Sequence, residues 1–82
     1  MGTTRGDIRL WIDRAKAEGA THMLVVCDTY DYTDYPVSVK PDQDAREVFK
    51  RYDGPNMAKV MEVYDLRIDT EAQLTEHRAF HF

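Results

Sequence analysis

The sequence has almost nothing that could cross-link a small fold. Its 82 residues include a single cysteine, Cys27, so no disulfide can form within the chain. One hydrophobic core of this size supplies only about 3–5 kcal/mol of stability, and self-association would add to it, so a homodimer is one expectation. A lone thiol suits a reducing compartment, and we therefore predict a cytoplasmic protein.

Long apolar runs are missing as well. The longest uninterrupted run covers residues 23–27, far short of the roughly 20 apolar residues of a membrane-spanning helix. The first residues include no apolar stretch of signal-peptide length. With 43% apolar residues, the chain fits a single domain, residues 1–82, around one core and without a membrane partner.

Basic charge is scarce and scattered. Eleven lysines and arginines stand against fifteen acidic residues, which gives a formal charge of −4. Nonspecific affinity for nucleic acids comes from clustered Lys and Arg, so the composition disfavours direct nucleic-acid binding. A basic protein surface is the better electrostatic match for such a chain.

The amino-terminal half predicts a helix followed by two strands. A capping-box pattern at Thr4 begins the helix, and Gly19 ends it. Residues 21–27 are apolar on both faces, which places that strand at the sheet centre, whereas residues 35–40 include a proline and are typical of an edge strand. The connection, residues 28–34, is too short for a helical crossover, so the two strands are expected to form an antiparallel hairpin.

The carboxyl-terminal half predicts a helix, a strand and a helix. The first of these helices begins after Asp44 and ends at Gly54. Residues 57–66 fit both helical and alternating spacing, and we assign a strand because β-branched residues and flanking turn signals favour it. The last helix begins at Asp69 and runs towards the end of the chain. The sum is an α+β domain with a three-stranded antiparallel sheet and three helices, in the order α-β-β-α-β-α.

The loop of the predicted hairpin is the strongest candidate for a binding site. It carries three carboxylates and three phenols: Asp28, Tyr30, Asp31, Tyr32, Asp34 and Tyr35. Tyrosines offer broad contact area at low entropic cost, and loops on a rigid scaffold often carry function. The same aspartates could instead cap turns or hold Mg²⁺ or Ca²⁺, although their spacing lacks the pattern of an EF-hand. We interpret the loop as a partner-binding site.

Two further patterns could carry chemistry. His77 and His81 lie four residues apart, so on a helix they would share a face and could bind zinc in a metal-dependent enzyme, but no glutamate lies between them as in zincins. Cys27 and His22 point to opposite faces of one predicted strand, so they do not form a nucleophile pair. The sequence therefore predicts a protein with no catalytic residue and no cofactor.

Dispersed cations give another alternative. A small anionic ligand such as a nucleotide could be held at a dimer interface by stacking aromatics and four side chains: Arg5, Arg9, Lys59 and Arg78. This hypothesis requires those cations to converge, which the sequence does not show. The last aromatics, Phe80 and Phe82, are expected to dock on their own domain or on a second copy.

Four segments resemble small, uncharacterised proteins of bacteria and their phages: Gly19-Ala20-Thr21-His22-Met23, residues 27–36, Met61-Glu62-Val63-Tyr64-Asp65-Leu66 and Glu76-His77-Arg78-Ala79-Phe80. The resemblance spans most of the chain and carries over no activity and no site residue. It implies the setting of accessory factors of phages or mobile elements, which often act by binding, among them anti-CRISPR inhibitors of host defence. We therefore predict a non-enzymatic binding protein that blocks a host protein with a basic surface through the acidic, tyrosine-rich loop.

Overall fold

The element order in the structure is the predicted one. The computed structural model describes residues 3–54, 57–76 and 78–82. It contains three helices and three strands: α1 (Arg5–Ala17), β1 (His22–Asp28), β2 (Thr33–Val39), α2 (Ala45–Tyr52), β3 (Ala58–Asp65) and α3 (Thr70–Leu74). The strands form one antiparallel sheet in the order β2-β1-β3, so the α+β class and the central position of β1 are confirmed. None of the helices in these ranges is both long and apolar enough to cross a membrane.

Local signals set the limits of α1. The Thr4 hydroxyl accepts a hydrogen bond from the Asp7 amide, and the Asp7 carboxylate accepts one from the Thr4 amide, both at 3.1 Å. This reciprocal pair is the predicted capping box, which satisfies two amides that a helix start otherwise leaves unpaired. Gly19 has φ +80°, and the next amide, that of Ala20, donates back to the Ala15 carbonyl. A left-handed residue at this point ends the helix and turns the chain towards β1.

The sheet divides the apolar residues into two clusters, where the short chain had predicted one core. The first cluster lies between the sheet and the pair α1 and α3, and its buried members are Ile8, Ile12, Ala15, Met23, Val25, Tyr64, Leu74 and Ala79. The second lies between the sheet and α2, and its buried members are Leu24, Val26, Val39, Ala45, Val48, Ala58, Val60 and Val63. Alternate residues of β1 enter opposite clusters, which explains why its sequence is apolar on both faces.

β2 is an edge strand, and its proline lies where a missing donor does least harm. Pro36 pairs with Val25, between the neighbouring pairs Val37–Leu24 and Tyr35–Val26. Hydrogen-bonded and non-bonded pairs alternate along an antiparallel ladder. The backbone groups of Val63 in β3 bond to the carboxyl-terminal segment and not to β1, so those of its partner Leu24 bond to β2. Pro36, one position along β2 from the partner of Leu24, therefore turns its ring nitrogen to the outer edge of the sheet. Such a proline discourages pairing with a further strand.

A bulge in β3 explains the mixed periodicity of this segment. Val25 pairs with Glu62 but the next residue, Val26, pairs with Val60, so one extra residue, Met61, interrupts the alternation. Val60 therefore belongs to the α2 cluster, and from Glu62 onwards the alternation of side chains between the two faces of the sheet is shifted by one residue. A pattern that switches face midway matches neither a regular strand nor a helix throughout.

The outer edge of β3 is covered along its length. The Val60 amide donates to the Asp53 carboxylate at 3.2 Å. Further along, Val63 donates to the Ala79 carbonyl at 2.8 Å and accepts from the His81 amide at 3.0 Å. At the end of the strand, the Gln73 side chain accepts from the Asp65 amide and donates to the Asp65 carbonyl, each at 2.8 Å. The amide side chain thus imitates a neighbouring strand.

The prediction of a final helix running to the end of the chain is wrong. α3 ends at Leu74, and the following segment instead forms a parallel bridge between Phe80 and Val63. The Phe82 ring lies edge-to-face on Phe49 at 5.4 Å, and the Arg46 guanidinium lies 4.6 Å from the Phe82 ring centre. Tertiary pairing with an open strand edge outweighs the helical tendency of this segment. The expected docking of the last aromatics on their own domain is present.

Acid should weaken the fold through Asp65. Its carboxylate accepts hydrogen bonds from the Arg67 amide, Nε and Nη2, each at 2.9 Å, and these bonds, assisted by nearby His22, lower the pKa of Asp65 to about 2. A lowered pKa in the folded state stabilises the protein above the ordinary value near 4, and this stability is lost as pH falls from about 4 to 2. We expect a loss of about 1–2 kcal/mol, because exposed Arg67 weakens the pair.

Urea unfolding of the wild type and of Asp65→Asn from pH 7 to pH 2 measures this contribution. The variant lacks the titrating group, so its stability should fall less steeply between pH 4 and 2. Parallel curves for the two proteins in that interval would contradict the assignment.

Candidate functional site

The predicted loop forms a tight hairpin turn at one end of the sheet. β1 ends at Asp28 and β2 begins at Thr33, so the turn is residues 29–32 and is shorter than the predicted connection. The Tyr32 amide donates to the Asp28 carbonyl at 2.7 Å, and Tyr32 has φ +59°. The hairpin itself was predicted correctly, but Asp34 and Tyr35 belong to β2 and not to the turn.

Two aspartates organise the turn through their side chains. Asp28 Oδ1 accepts from the Tyr30 amide at 2.8 Å. Asp31 Oδ1 accepts from the Thr33 hydroxyl at 2.8 Å and from the Thr33 amide at 3.2 Å, and these two bonds hold the pKa of Asp31 below its ordinary value. Asp28 and Asp31 therefore cap the turn, as the alternative interpretation of these aspartates predicted. Each carboxylate still has its Oδ2 without a hydrogen bond to any residue in the described ranges.

The turn presents two tyrosine rings to solvent. Tyr30 is 72% exposed and Tyr32 is 71% exposed, whereas Tyr35 is only 37% exposed. Tyr35 pairs with Val26, which places it on the α2 side of the sheet. Partial burial, followed by the nearby Tyr52 phenol, raises the pKa of Tyr35. The predicted set of three contact phenols is thus divided into two highly exposed rings on the turn and a third, less exposed ring on the α2 side of β2.

Met57 is tied to the turn through its backbone and was missed by the sequence reasoning. Both the amide and the hydroxyl of Thr29 donate to the Met57 carbonyl, at 2.7 and 2.8 Å. Met57 is 54% exposed and has φ +60°, so it and Tyr32 are the non-glycine residues with positive φ in the described ranges. We define the tip surface as Asp28, Tyr30, Asp31, Tyr32 and Met57. The signal that could have found Met57 was its position directly before a strand antiparallel to β1, which places both at the same sheet end.

Asp34 lies apart from the tip surface. It pairs with Cys27 on the side of the sheet that carries α1. Burial and then the neighbouring Asp34 carboxylate raise the pKa of the Cys27 thiol, which disfavours the nucleophilic thiolate form. His22 points to the other side, where its Nε2 donates to the Phe82 carbonyl oxygen at 3.0 Å. The predicted separation of Cys27 and His22 is therefore seen directly.

A pocket of about 280 Å³ opens beside the start of α1. Its polar wall has five members: Thr3, Arg5, Asp34, Glu62 and Arg78. Two of the four cations proposed to bind an anionic ligand, Arg5 and Arg78, thus reach one pocket. A third, Arg9, is paired with Glu71 at 2.7 Å on the surface, and Lys59 lies in β3 opposite Cys27. The predicted convergence is therefore partial, and two carboxylates accompany the two cations.

Arg5 is held in the pocket wall by a partly buried network. Its Nη1 lies 3.2 Å from each carboxylate oxygen of Glu62 and 3.0 Å from the Tyr64 hydroxyl. Its Nη2 donates to the Glu76 carbonyl at 2.8 Å. Tyr64 in turn donates to Glu62 at 2.5 Å, and burial raises the pKa of Tyr64. The network links the start of α1 to β3 and fixes the guanidinium in place.

Only one member of the predicted histidine pair, His81, lies within the described ranges. His77 lies outside the residues that the structure describes. His81 is not in a helix, so the helical spacing expected for the pair does not apply, and its Nε2 lies 2.7 Å from a Glu76 carboxylate oxygen. Across residues 3–54, 57–76 and 78–82, no three His, Cys, Asp or Glu side chains are close enough to bind one metal ion.

Comparisons with known proteins add no family. The chain matches no protein-family model, no curated protein and no solved structure. The resemblance to small bacterial and phage proteins stays a prediction.

Proposed function

We propose that the chain is a non-enzymatic binding protein that blocks a host protein by placing the tip surface on a basic patch of that protein. The observation that carries this proposal is the exposure of Tyr30 and Tyr32, each above 70%, on a turn of only four residues held between two strands. Tyrosine rings fixed in this way lose little entropy on binding. Rings of this kind frequently dominate the energy of an interface.

Charge supports a basic partner. Asp28 and Asp31 keep one carboxylate oxygen each for an incoming Lys or Arg, and the whole chain carries a formal charge of −4. Charge complementarity increases the association rate and selects the partner surface more than it adds affinity. Met57 contributes a flexible apolar contact from a second loop, which widens the tip surface beyond the hairpin.

The biological setting follows from the resemblance. Small accessory factors of phages and mobile elements often act by occupying a host protein, and inhibition of host defence, including CRISPR systems, is the form of blocking that we propose. We place this activity in the cytoplasm, where a free thiol such as Cys27 persists.

Removing the exposed rings should abolish partner capture without unfolding the protein. The variant Tyr30→Ser/Tyr32→Gly deletes both rings, and glycine suits the positive φ of position 32. We expect the partner captured from a host lysate by the wild type to bind this variant at least about tenfold more weakly, which corresponds to about 1.4 kcal/mol. Identification of the captured protein, followed by measurement of its Kd for each variant, checks this.

A matched control removes exposed apolar side chains elsewhere. Leu10 in α1 and Ile68 after β3 are 50% and 54% exposed, so Leu10→Ser/Ile68→Ser should leave the Kd unchanged. In the same assay, Asp28→Asn/Asp31→Asn keeps the Oδ1 acceptors of the turn and removes only the charge. This pair should flatten the salt dependence of the Kd. Equal affinity of the wild type and the Tyr30→Ser/Tyr32→Gly variant would refute the proposal.

A further inference from the structure

The pocket beside α1 has an apolar floor and a small volume. Its floor is formed by Ile8, Val25 and Met61, below the polar wall described above. A volume of about 280 Å³ is slightly below the usual range for ligand pockets, about 300–1,000 Å³. Its size therefore fits a metabolite with few heavy atoms better than a nucleotide.

One pair of charges in the wall is already neutralised. Arg5 and Glu62 face each other at 3.2 Å, and the Glu62 side chain is 9% exposed. Because Arg5 is also held by Tyr64 and by the Glu76 carbonyl, it cannot turn towards a ligand without breaking several bonds. This pair shapes the pocket and adds no net charge to it.

The second pair of charges is available. Asp34 and Arg78 line the same pocket, and neither forms a salt bridge with a residue in the described ranges. An anion would be attracted by Arg78 but repelled by Asp34, and a cation would meet the reverse. A neutral ligand that carries both charges satisfies both groups.

We propose that this pocket binds a free α-amino acid with an apolar side chain. The ligand carboxylate pairs with Arg78 and the Thr3 hydroxyl, its ammonium group pairs with Asp34, and its side chain rests on the apolar floor. Arginine suits carboxylates because its fixed N–H donors match their two oxygens. This site is separate from the tip surface and does not depend on the proposed partner.

Titration of the wild type with leucine, isoleucine, methionine and phenylalanine, followed by calorimetry and by NMR shifts of the Val25 and Asp34 amides, tests the site. We expect saturable binding of at least one amino acid. N-acetylation of that amino acid, which removes its ammonium group, or amidation of its carboxylate should each weaken binding at least about tenfold. These analogues test recognition without altering the fold.

Two variants and two matched controls complete the experiment. Arg78→Gln and Asp34→Asn should each weaken binding at least about tenfold, whereas Arg9→Gln and Asp42→Asn, on exposed positions outside the pocket wall, should leave it unchanged. Absence of binding for all four amino acids overturns the proposal, as does equal binding of the acetylated and amidated analogues. Loss of the amino-acid site with retained partner capture would leave the tip surface proposal standing.

Discussion

Replacing Arg5 with methionine should lower the free energy of unfolding by about 2 kcal/mol, because the change leaves the buried Glu62 carboxylate without its cation, while the 46% exposure of Arg5 lets water screen part of the pair. Glu62 retains only the Tyr64 hydroxyl at 2.5 Å as a partner within the network. Methionine preserves the aliphatic stem, so the loss reports on charge and hydrogen bonds more than on packing. Urea unfolding at neutral pH, with equal slopes for the two proteins, measures the difference.

Two further variants show whether the partly buried network of Arg5, Glu62 and Tyr64 is the cause. Arg9→Met breaks the Arg9–Glu71 pair, whose side chains are 55% and 64% exposed, and should cost less than about 1 kcal/mol. The triple variant Arg5→Met/Glu62→Met/Tyr64→Phe removes both charges together with the buried hydroxyl that bonds to them. It should regain most of the loss, since an apolar set avoids the burial of an unpaired ion or hydroxyl. If Arg5→Met and Arg9→Met cost the same, the network contributes nothing special to stability.

Replacing Gln73 with methionine should cost about 2–3 kcal/mol, since it removes two buried hydrogen bonds and one partly buried hydrogen bond at nearly constant volume. The Gln73 side chain is 2% exposed, and it donates to the Asp69 carbonyl at 3.0 Å besides its two bonds to the Asp65 backbone. The amide and carbonyl of Asp65 would then be buried without partners. Urea unfolding gives the size of the loss, and hydrogen exchange of the Asp65 amide locates it.

Gln43 offers the matched control for this change. Its side chain accepts one bond, from the Lys40 amide at 3.0 Å, at an exposed position. Gln43→Met should therefore change the stability by no more than about 0.5 kcal/mol. A loss for Gln73→Met as small as that for Gln43→Met would mean that the covered edge of β3 does not depend on this side chain.

Features encoded by neighbouring residues were predictable. The capping box at Thr4, the left-handed Gly19 and the short connection after β1 each act within a few residues, and together they specify α1 and the hairpin. The exposure of Tyr30 and Tyr32 also follows from a turn too short to fold back on itself. Tyr30, Asp31 and Tyr32 therefore lie on the turn as the sequence predicted, and their role in binding stays a prediction.

Features that depend on distant partners were not predictable. The segment after α3 does not continue as a helix because Val63 bonds to Ala79 and His81. The bulge at Met61 is visible only as a change in the pairing of β3 with β1. Asp34 lies in β2 and not in the turn, because the bonds of the Asp31 side chain to Thr33 shorten the turn and extend β2. Met57 reaches Thr29 only through the pairing of β3 with β1, and Arg78 lines the same pocket as Arg5 without any signal from its neighbours in sequence.

The covered edge of β3 has a consequence for how this protein meets other molecules. Its backbone groups at Val60, Val63 and Asp65 are occupied, and the opposite edge carries Pro36 and the negative charge of Asp34. Neither edge of the sheet offers a continuous row of backbone donors with which a foreign peptide could pair as an added strand. Recognition must therefore proceed through side chains, and the same closure resists fibrillar growth when the protein is concentrated.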